Sequence, residues 1–344
     1  MKYHAVIIGA GPAGIGAANY LLNHGIKVLI VEKDIKPGNK ACGGGLTESA
    51  LSFIDDDIAS CFEHHKKLKV ISPYFSAAIN SDKSYMAVAD RTLWTSKMLA
   101  RLQDKGADII LGKRCRSING NTVLVGDESI LSEIIIGADG PNSVVRKHLG
   151  INSAIGVIAI QLVIKKEHIK GSFDLKNTPS VYFDFNKFLN GYGWIFPVGD
   201  SLKIGCGIPL VKNGGKLLNS SFDLWLKDIG IDSSKGRVQG GSIGCKYLGH
   251  RRDNIFLAGD AGGFASPVTG EGIGQAIISG EEVAKEATQK NYSSKILKKL
   301  SRYHRKTDHI LSQPEVGAFI LNSAPFFLKS PSFAASVLRR YSSF

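Results

Sequence analysis

Gly9-Ala10-Gly11-Pro12-Ala13-Gly14 stands between an apolar run at residues 3–8 and an apolar stretch at residues 12–23. The first run predicts a buried strand. The stretch predicts a helix stopped by Gly25, and residues 27–31 predict a second strand. The chain therefore opens on a βαβ unit, and the glycine spacing has a mechanical meaning inside it. Gly9 permits the tight turn, Gly11 lets a diphosphate approach the backbone, and Gly14 lets helix and strand pack closely. The helix start offers unpaired N–H groups and the positive end of its dipole. Glu32, eighteen residues after Gly14, offers ribose hydroxyls an acceptor, and Lys33 adjoins it. Gly9, Gly11, Pro12, Ala13, Gly14, Glu32 and Lys33 are thus candidate dinucleotide-binding residues.

This turn serves NAD(P) and FAD equally well. A second stretch separates them. Ile255-Phe256-Leu257-Ala258-Gly259-Asp260-Ala261-Gly262-Gly263 predicts a buried strand ending in an acid. FAD is extended, and Asp260 suits the hydroxyls of its ribityl chain. Thr269-Gly270-Glu271-Gly272-Ile273-Gly274 then opens another helix. Its start, at Gly270, Gly272 and Ile273, suits the flavin edge where negative charge builds on reduction. FAD is the cofactor these motifs imply.

Composition agrees with a soluble globular protein of 344 residues, 43% hydrophobic and 21% charged. The net charge of +13 favours anionic partners without choosing among them. Five scattered cysteines, Cys42, Cys61, Cys115, Cys206 and Cys245, show no metal-ligand spacing. No metal site is expected, and a reducing, cytoplasmic setting is. No run of about twenty apolar residues marks a membrane span. No motif supports nucleic-acid binding.

The expected fold is α/β. A discontinuous Rossmann-like FAD-binding domain is expected over residues 1–150 and 250–290. Residues 34–47 are loop-like, and 91–105 and 271–289 read as helices. Over 151–249 the pattern changes to strands at 155–164, 180–185, 192–197, 201–208 and 237–243, with a helix near 217–229. This predicts a mostly antiparallel substrate-binding sheet. Residues 291–344 predict a basic helical cap. Ile296, Leu300, Tyr303 and Ile310 recur at helical spacing, and Phe319, Ile320, Phe326, Phe327 and Leu328 follow. This segment reads either as a lid with a solvated charged face or as a contact for anionic membrane.

Three further stretches carry chemistry. Tyr192, Trp194 and Phe196 alternate along a strand, so their rings share one face suited to a long apolar substrate. Core packing explains the same pattern. Cys42-Gly43-Gly44-Gly45 allows the backbone to lie flat against an aromatic ring. Asp139 stands in a Gly-Ala-Asp-Gly turn after a strand.

With these stretches the sequence resembles the geranylgeranyl reductase family, within the flavoprotein group that also holds the para-hydroxybenzoate hydroxylase-like monooxygenases. The resemblance rests on the N-terminal βαβ unit, on Lys40 to Leu46, on Gly137 to Gly140 with Ser143 and Arg146, on the Tyr-x-Trp-x-Phe-Pro stretch at 192–197, and on Gly259 to Gly272. It implies that Cys42, Gly43 and Gly45 offer backbone to the flavin; Cys42 gating the site or donating a proton, and plain packing, stay open. It implies that Arg91 reaches the diphosphate side, that Cys115 offers backbone to the adenine, and that Asp139 belongs to a cofactor-side turn. Relatives often carry a lysine after the proline. Val198 stands there, which implies a less anionic head group.

The activity this resemblance implies is FAD-dependent reduction of C=C bonds in a geranylgeranyl or other isoprenoid lipid. Alternatives are a monooxygenase or halogenase of the same fold, and a non-catalytic flavin-binding redox protein. NAD(P)H, ferredoxin and quinol all remain open as the electron donor, because no second glycine motif marks a nicotinamide domain.

Overall fold

A computed structural model describes residues 1–311 apart from 52, 53, 55, 74, 83, 85, 171 and 172. For residues 48, 49, 56, 57, 59, 75, 173, 174, 185 and 308–311 it describes the backbone alone. The chain begins β1 (Lys2–Ile8), α1 (Pro12–Asn23), β2 (Val28–Glu32), β3 (Gly45–Thr47), α2 (Glu48–Leu51), β4 (Phe62–His65) and β5 (Lys67–Ser72). It continues β6 (Phe75–Asn80), β7 (Met86–Ala89), α3 (Arg91–Asp104), β8 (Asp108–Leu111), β9 (Cys115–Asn119), β10 (Thr122–Val125), β11 (Glu128–Gly137) and α4 (Val144–His148). Next come β12 (Ile155–Lys165), α5 (Phe173–Asn177), β13 (Ser180–Tyr182), α6 (Phe185–Phe188), β14 (Tyr192–Val198), β15 (Ser201–Pro209) and α7 (Gly214–Asp228). Last are β16 (Gly236–Gly244), β17 (Arg251–Arg252), β18 (Ile255–Leu257), α8 (Ile273–Thr288) and α9 (Lys295–Leu311).

Two compact units divide the chain. The first is built from 1–39, 91–155 and 243–306. Its sheet runs β17-β18-β11-β1-β2-β8, and β18, β11, β1, β2 and β8 are parallel. β2 is buried along its whole length, as expected of a parallel strand covered on both faces. One face packs Val6, Ile8, Leu29, Val31, Ile135 and Leu257 into a common core. The helices α1 and α8 pack against each other through glycine: a Cβ on Gly16 would lie 2.3 Å from the Ile277 carbonyl oxygen, and one on Gly280 2.0 Å from that of Ala13.

The second unit is built from 40–90 and 156–242, together with the described residues from 307 to 311. Its larger sheet runs β16-β12-β15-β14-β13-β5-β6. β12, β15, β14 and β13 pair antiparallel, and β13 meets β5 in parallel. Leu162, Ile195, Ile204, Phe222 and Trp225 form the core between this sheet and α7. A small sheet, β3-β7-β4, completes the unit.

The α/β class and the antiparallel second sheet are as the sequence predicts. An uninterrupted 1–150 domain is not. Residues 40–90 fall in the second unit because β5 pairs with β13, more than a hundred positions away. The end of the loop-like segment 34–47 is strand, since β3 pairs with β7. The strand expected over 180–185 stops at Tyr182, because the Asp184 side chain accepts a hydrogen bond from the Lys187 N–H and starts α6. In the basic segment, α9 buries Leu297, Leu300 and His304, whereas Ile296 and Tyr303 are half-buried. Residues 319, 320, 326, 327 and 328 lie outside the described residues.

Candidate functional site

In the first unit the predicted cofactor residues converge at the carboxyl ends of the parallel strands, where open α/β sheets bind ligands. Gly9, just past β1, has φ +109°, and a Cβ there would lie 2.3 Å from the Ala138 carbonyl oxygen. A Cβ on Gly14 would lie 2.0 Å from the Gly9 carbonyl oxygen. A Cβ on Gly11 would meet nothing within 4 Å, so the space over the helix start is open. Gly11 is the N-cap of α1, Pro12 occupies its first turn, and neither a capping side chain nor an acid blocks that end. Its free N–H groups therefore face the opening.

Glu32 sits beside this turn. One carboxylate oxygen accepts the Ala10 N–H at 2.8 Å and the other accepts the Asp34 N–H at 2.9 Å. The acid thus braces the glycine turn, and each oxygen keeps further acceptor capacity for a hydroxyl. Lys33 is exposed and pairs with Asp34 at 3.2 Å.

Asp260 lies in the single turn Gly259–Ala261 after β18. Its Oδ1 is 3.4 Å from the position a Cβ on Gly272 would take, so it points at the start of α8. That helix also has no capping side chain and no acid in its first turn. The loop before it is closed by Ser266 N–H to Glu271 carbonyl at 2.8 Å and Gly270 N–H to Ser266 carbonyl at 3.0 Å. Ile273, the first residue of α8, is buried. Two uncapped helix starts, an open glycine turn and two acids fit an extended dinucleotide.

The remaining expectations are placed less simply. Asp139 caps α4: its Oδ2 accepts the Val144 N–H at 2.6 Å, and Oδ1 is buried with no partner. Burial raises its pKa, against the pull of Ser143 and the backbone N–H groups of Val144 and Val145. Arg91 starts α3 at 9% exposure, and its Nε is buried without a partner, a donor that an anion would satisfy. Cys115 is core, its thiol pushed up to about 12 by burial, which leaves only its backbone for ligand contact.

Sequence reading missed three residues that hold this site. Ser279, in mid-helix α8, accepts the Gly259 N–H at 2.9 Å and fixes the Asp260 turn. Arg146, known only as a resemblance position, donates to the carbonyls of Ala261 and Pro141 at 3.1 and 2.5 Å. Gln275, in the first turn of α8, keeps a buried Oε1 with no partner. For Ser279 and Gln275 the one visible signal is a polar side chain within the apolar half of a helix.

In the second unit Tyr192, Trp194 and Phe196 do share a face, with ring centroids 6.0 and 6.4 Å apart in succession. Gly193 and Ile195 face the core beneath α7. The Cys42–Gly45 loop lies against this aromatic face. A Cβ on Gly43 would stand 2.9 Å from Trp194 Nε1, and one on Gly45 2.9 Å from the Phe196 ring. The ring that the glycines accommodate is thus the protein's own. Trp194 is accordingly buried, while Tyr192 and Phe196 keep partial exposure. Cys42, half-buried, accepts the Gly44 N–H on its sulfur at 3.3 Å, and the other four cysteines are buried. Lys203, directly across from Phe196 on the same face, donates to the Ala89 carbonyl at 2.9 Å. Val198 therefore gives no reason to expect a face without a cation.

Gly43→Val is expected to lift this loop off Trp194. The overpacked loop should cost about 1–3 kcal/mol, read as a lower midpoint of thermal unfolding, while purified protein keeps its FAD. An unchanged midpoint would show that the loop accommodates the side chain.

Among the described residues no cluster of three or more His, Cys, Asp or Glu side chains could hold a metal ion. No helix there is long and apolar enough to cross a membrane.

Residues 2–163 match the family model described as FAD binding domain. Geranylgeranyl diphosphate reductase of Rhodobacter capsulatus is 28% identical over 302 residues, which cover 83% of this chain and 75% of that protein. Digeranylgeranylglycerophospholipid reductase 3 of Methanosphaera stadtmanae is 28% identical over 330 residues, covering 87% and 81%. The crystal structure of a geranylgeranyl bacteriochlorophyll reductase-like protein from Thermoplasma acidophilum superposes with a TM-score of 0.76 at 22% identity, covering 95% of this chain and 91% of that one. That last likeness speaks for the fold. The residues matched by the family model include the glycine turn and Glu32, and the relatives span both units. The chain is an FAD-dependent oxidoreductase, related in sequence to the geranylgeranyl reductases.

Proposed function

We propose that this protein saturates carbon–carbon double bonds in the prenyl chain of an isoprenoid lipid. The observation that carries the reading is an FAD cradle in a chain whose relatives, over more than four-fifths of its length, are named for geranylgeranyl reduction. FAD, when bound, supplies the hydride chemistry. The protein supplies the binding and the surroundings. In this reading Gly9 to Gly14, Glu32, Lys33, Arg91, the Cys115 backbone and the Asp139 turn hold the dinucleotide. Asp260, Gly270, Gly272 and Ile273 hold its flavin half. Cys42 to Gly45, with Tyr192, Trp194 and Phe196, present an apolar, water-poor surface to the chain. Cys42, the thiol with partial exposure, Tyr192 and Glu271 are the candidate proton donors.

The test is anaerobic incubation of the reduced protein with geranylgeranyl lipids in detergent, followed by mass spectrometry. The expected product gains two hydrogen atoms per double bond. Oxygen-dependent hydroxylation of the substrate would replace this reading with the monooxygenase alternative. A bound flavin that no donor reduces would favour a non-catalytic role.

A further inference from the structure

The helix α9 has two unlike sides. Leu297, Leu300, Ser301 and His304 are buried on one. Lys295, Lys298, Lys299, Arg302, Arg305 and Lys306 are exposed on the other. Their spacing of three and four residues puts all six in one stripe along the helix, about 16 Å long. No acid interrupts residues 295–307, so the stripe carries six positive charges in a chain whose net charge is +13. Among the described residues none of the six has an ion-pair partner.

The stripe is held in place rather than carried on a loose tail. Ser294 caps the helix by accepting the Leu297 N–H at 3.0 Å, and it donates to Glu282 at 2.5 Å. Its own N–H reaches Glu286 at 2.7 Å. Further along, His304 hydrogen-bonds the Cys245 carbonyl at 3.0 Å. All of these partners belong to the first unit.

We propose that this stripe docks the protein on an anionic lipid bilayer. Charge complementarity is the argument, and the stripe's composition selects the occupant. Tyr303, the one Phe, Tyr or Trp within 295–307, is half-buried with its hydroxyl 3.5 Å from that of Ser266, whereas base stacking on a single-stranded nucleic acid would require exposed rings along the cations. No apolar side chain within 295–307 is exposed, Ile296 being half-buried and Leu297 and Leu300 buried, so none forms the centre of a protein–protein interface. A plane of spread negative charge asks only for a row of cations, each strengthening attachment about fivefold. The choice of lipid also rests on the proposed function, whose substrate would reside in the membrane. The stripe would bring the protein to that surface without inserting into it.

The test is cosedimentation of the full chain with vesicles of phosphatidylcholine alone or mixed with phosphatidylglycerol, scored beside FAD content. Wild type should bind the anionic vesicles, leave the neutral ones in solution, and be released by salt. The variant Lys298→Gln/Lys299→Gln/Arg302→Gln/Arg305→Gln should retain FAD and bind several-hundredfold more weakly. If that variant loses FAD, the milder pair Lys295→Gln/Lys306→Gln decides, with an expected loss of about twenty-five-fold. Equal binding to neutral vesicles, no vesicle binding, or an FAD-loaded variant that binds like wild type would each overturn the proposal. So would preferential capture of single-stranded RNA or of an acidic protein. Vesicle binding is read without turnover and reduction is read in detergent, so failure of one is distinguishable from failure of the other.

Discussion

Gly14→Val is expected to yield a protein without bound FAD. The first carbon of the new side chain would stand 2.0 Å from the Gly9 carbonyl oxygen and 3.3 Å from the Ile7 side chain. Both neighbours belong to the strand and turn that hold the cradle, and the first contact is with backbone, which cannot rotate away. Either α1 moves off the sheet or Gly9 leaves its conformation. Moving α1 also opens the Gly16 and Gly280 contacts with α8, which places the second uncapped helix start. One substitution thus disturbs both ends of the site. The flavin absorbance of purified protein, per mole of chain, checks this. A yellow, fully loaded variant would show that the cradle tolerates a displacement its geometry forbids.

Arg146→Met should leave the shape of the chain and remove much of its stability. Arg146 is 3% exposed, and its guanidinium satisfies the Pro141 and Ala261 carbonyls. It also lies within the field of Asp139 and Asp260, which hold its charge in place against burial. Methionine fills similar volume but leaves two acceptors unpaired and Asp139 buried without its counter-charge. Such losses cost about 3–5 kcal/mol, so the midpoint of thermal unfolding should fall by roughly 4–7 °C in a chain of this length. Arg146→Lys keeps the charge but cannot reach both carbonyls, and should recover only part of the loss. A shift of about 2 °C or less for the methionine variant would show that the two carbonyls find other donors. The same loss should weaken FAD retention, since Arg146 ties the Asp139 turn to the Asp260 turn.

These two residues mark how far the sequence could be read. Gly14 was legible because its meaning is local. The turn, the helix start and the following strand lie within about thirty residues, and helix and strand periods follow from the backbone itself. For that reason the predicted helix at 12–23 coincides with α1. Asp260 was legible by the same logic applied to a second strand, turn and helix. Arg146 was visible only as a position shared with a family. Its partners, Pro141 and Ala261, lie 5 and 115 positions away, and nothing local marks the distant one.

The sequence by itself determined the opening βαβ unit, the nature of the cofactor and the aromatic face at 192–197, because each depends on short-range spacing. Only the tertiary structure decided what those elements meet. It assigned residues 40–90 to the second unit through the pairing of β5 with β13. It showed that Gly43 and Gly45 yield space to Trp194 and Phe196, and that Lys203 supplies a cation beside Phe196, two positions from Val198, where relatives often carry a lysine. A glycine records that a side chain is missing at its own position. Which distant group occupies the vacated space is a property of the packed fold.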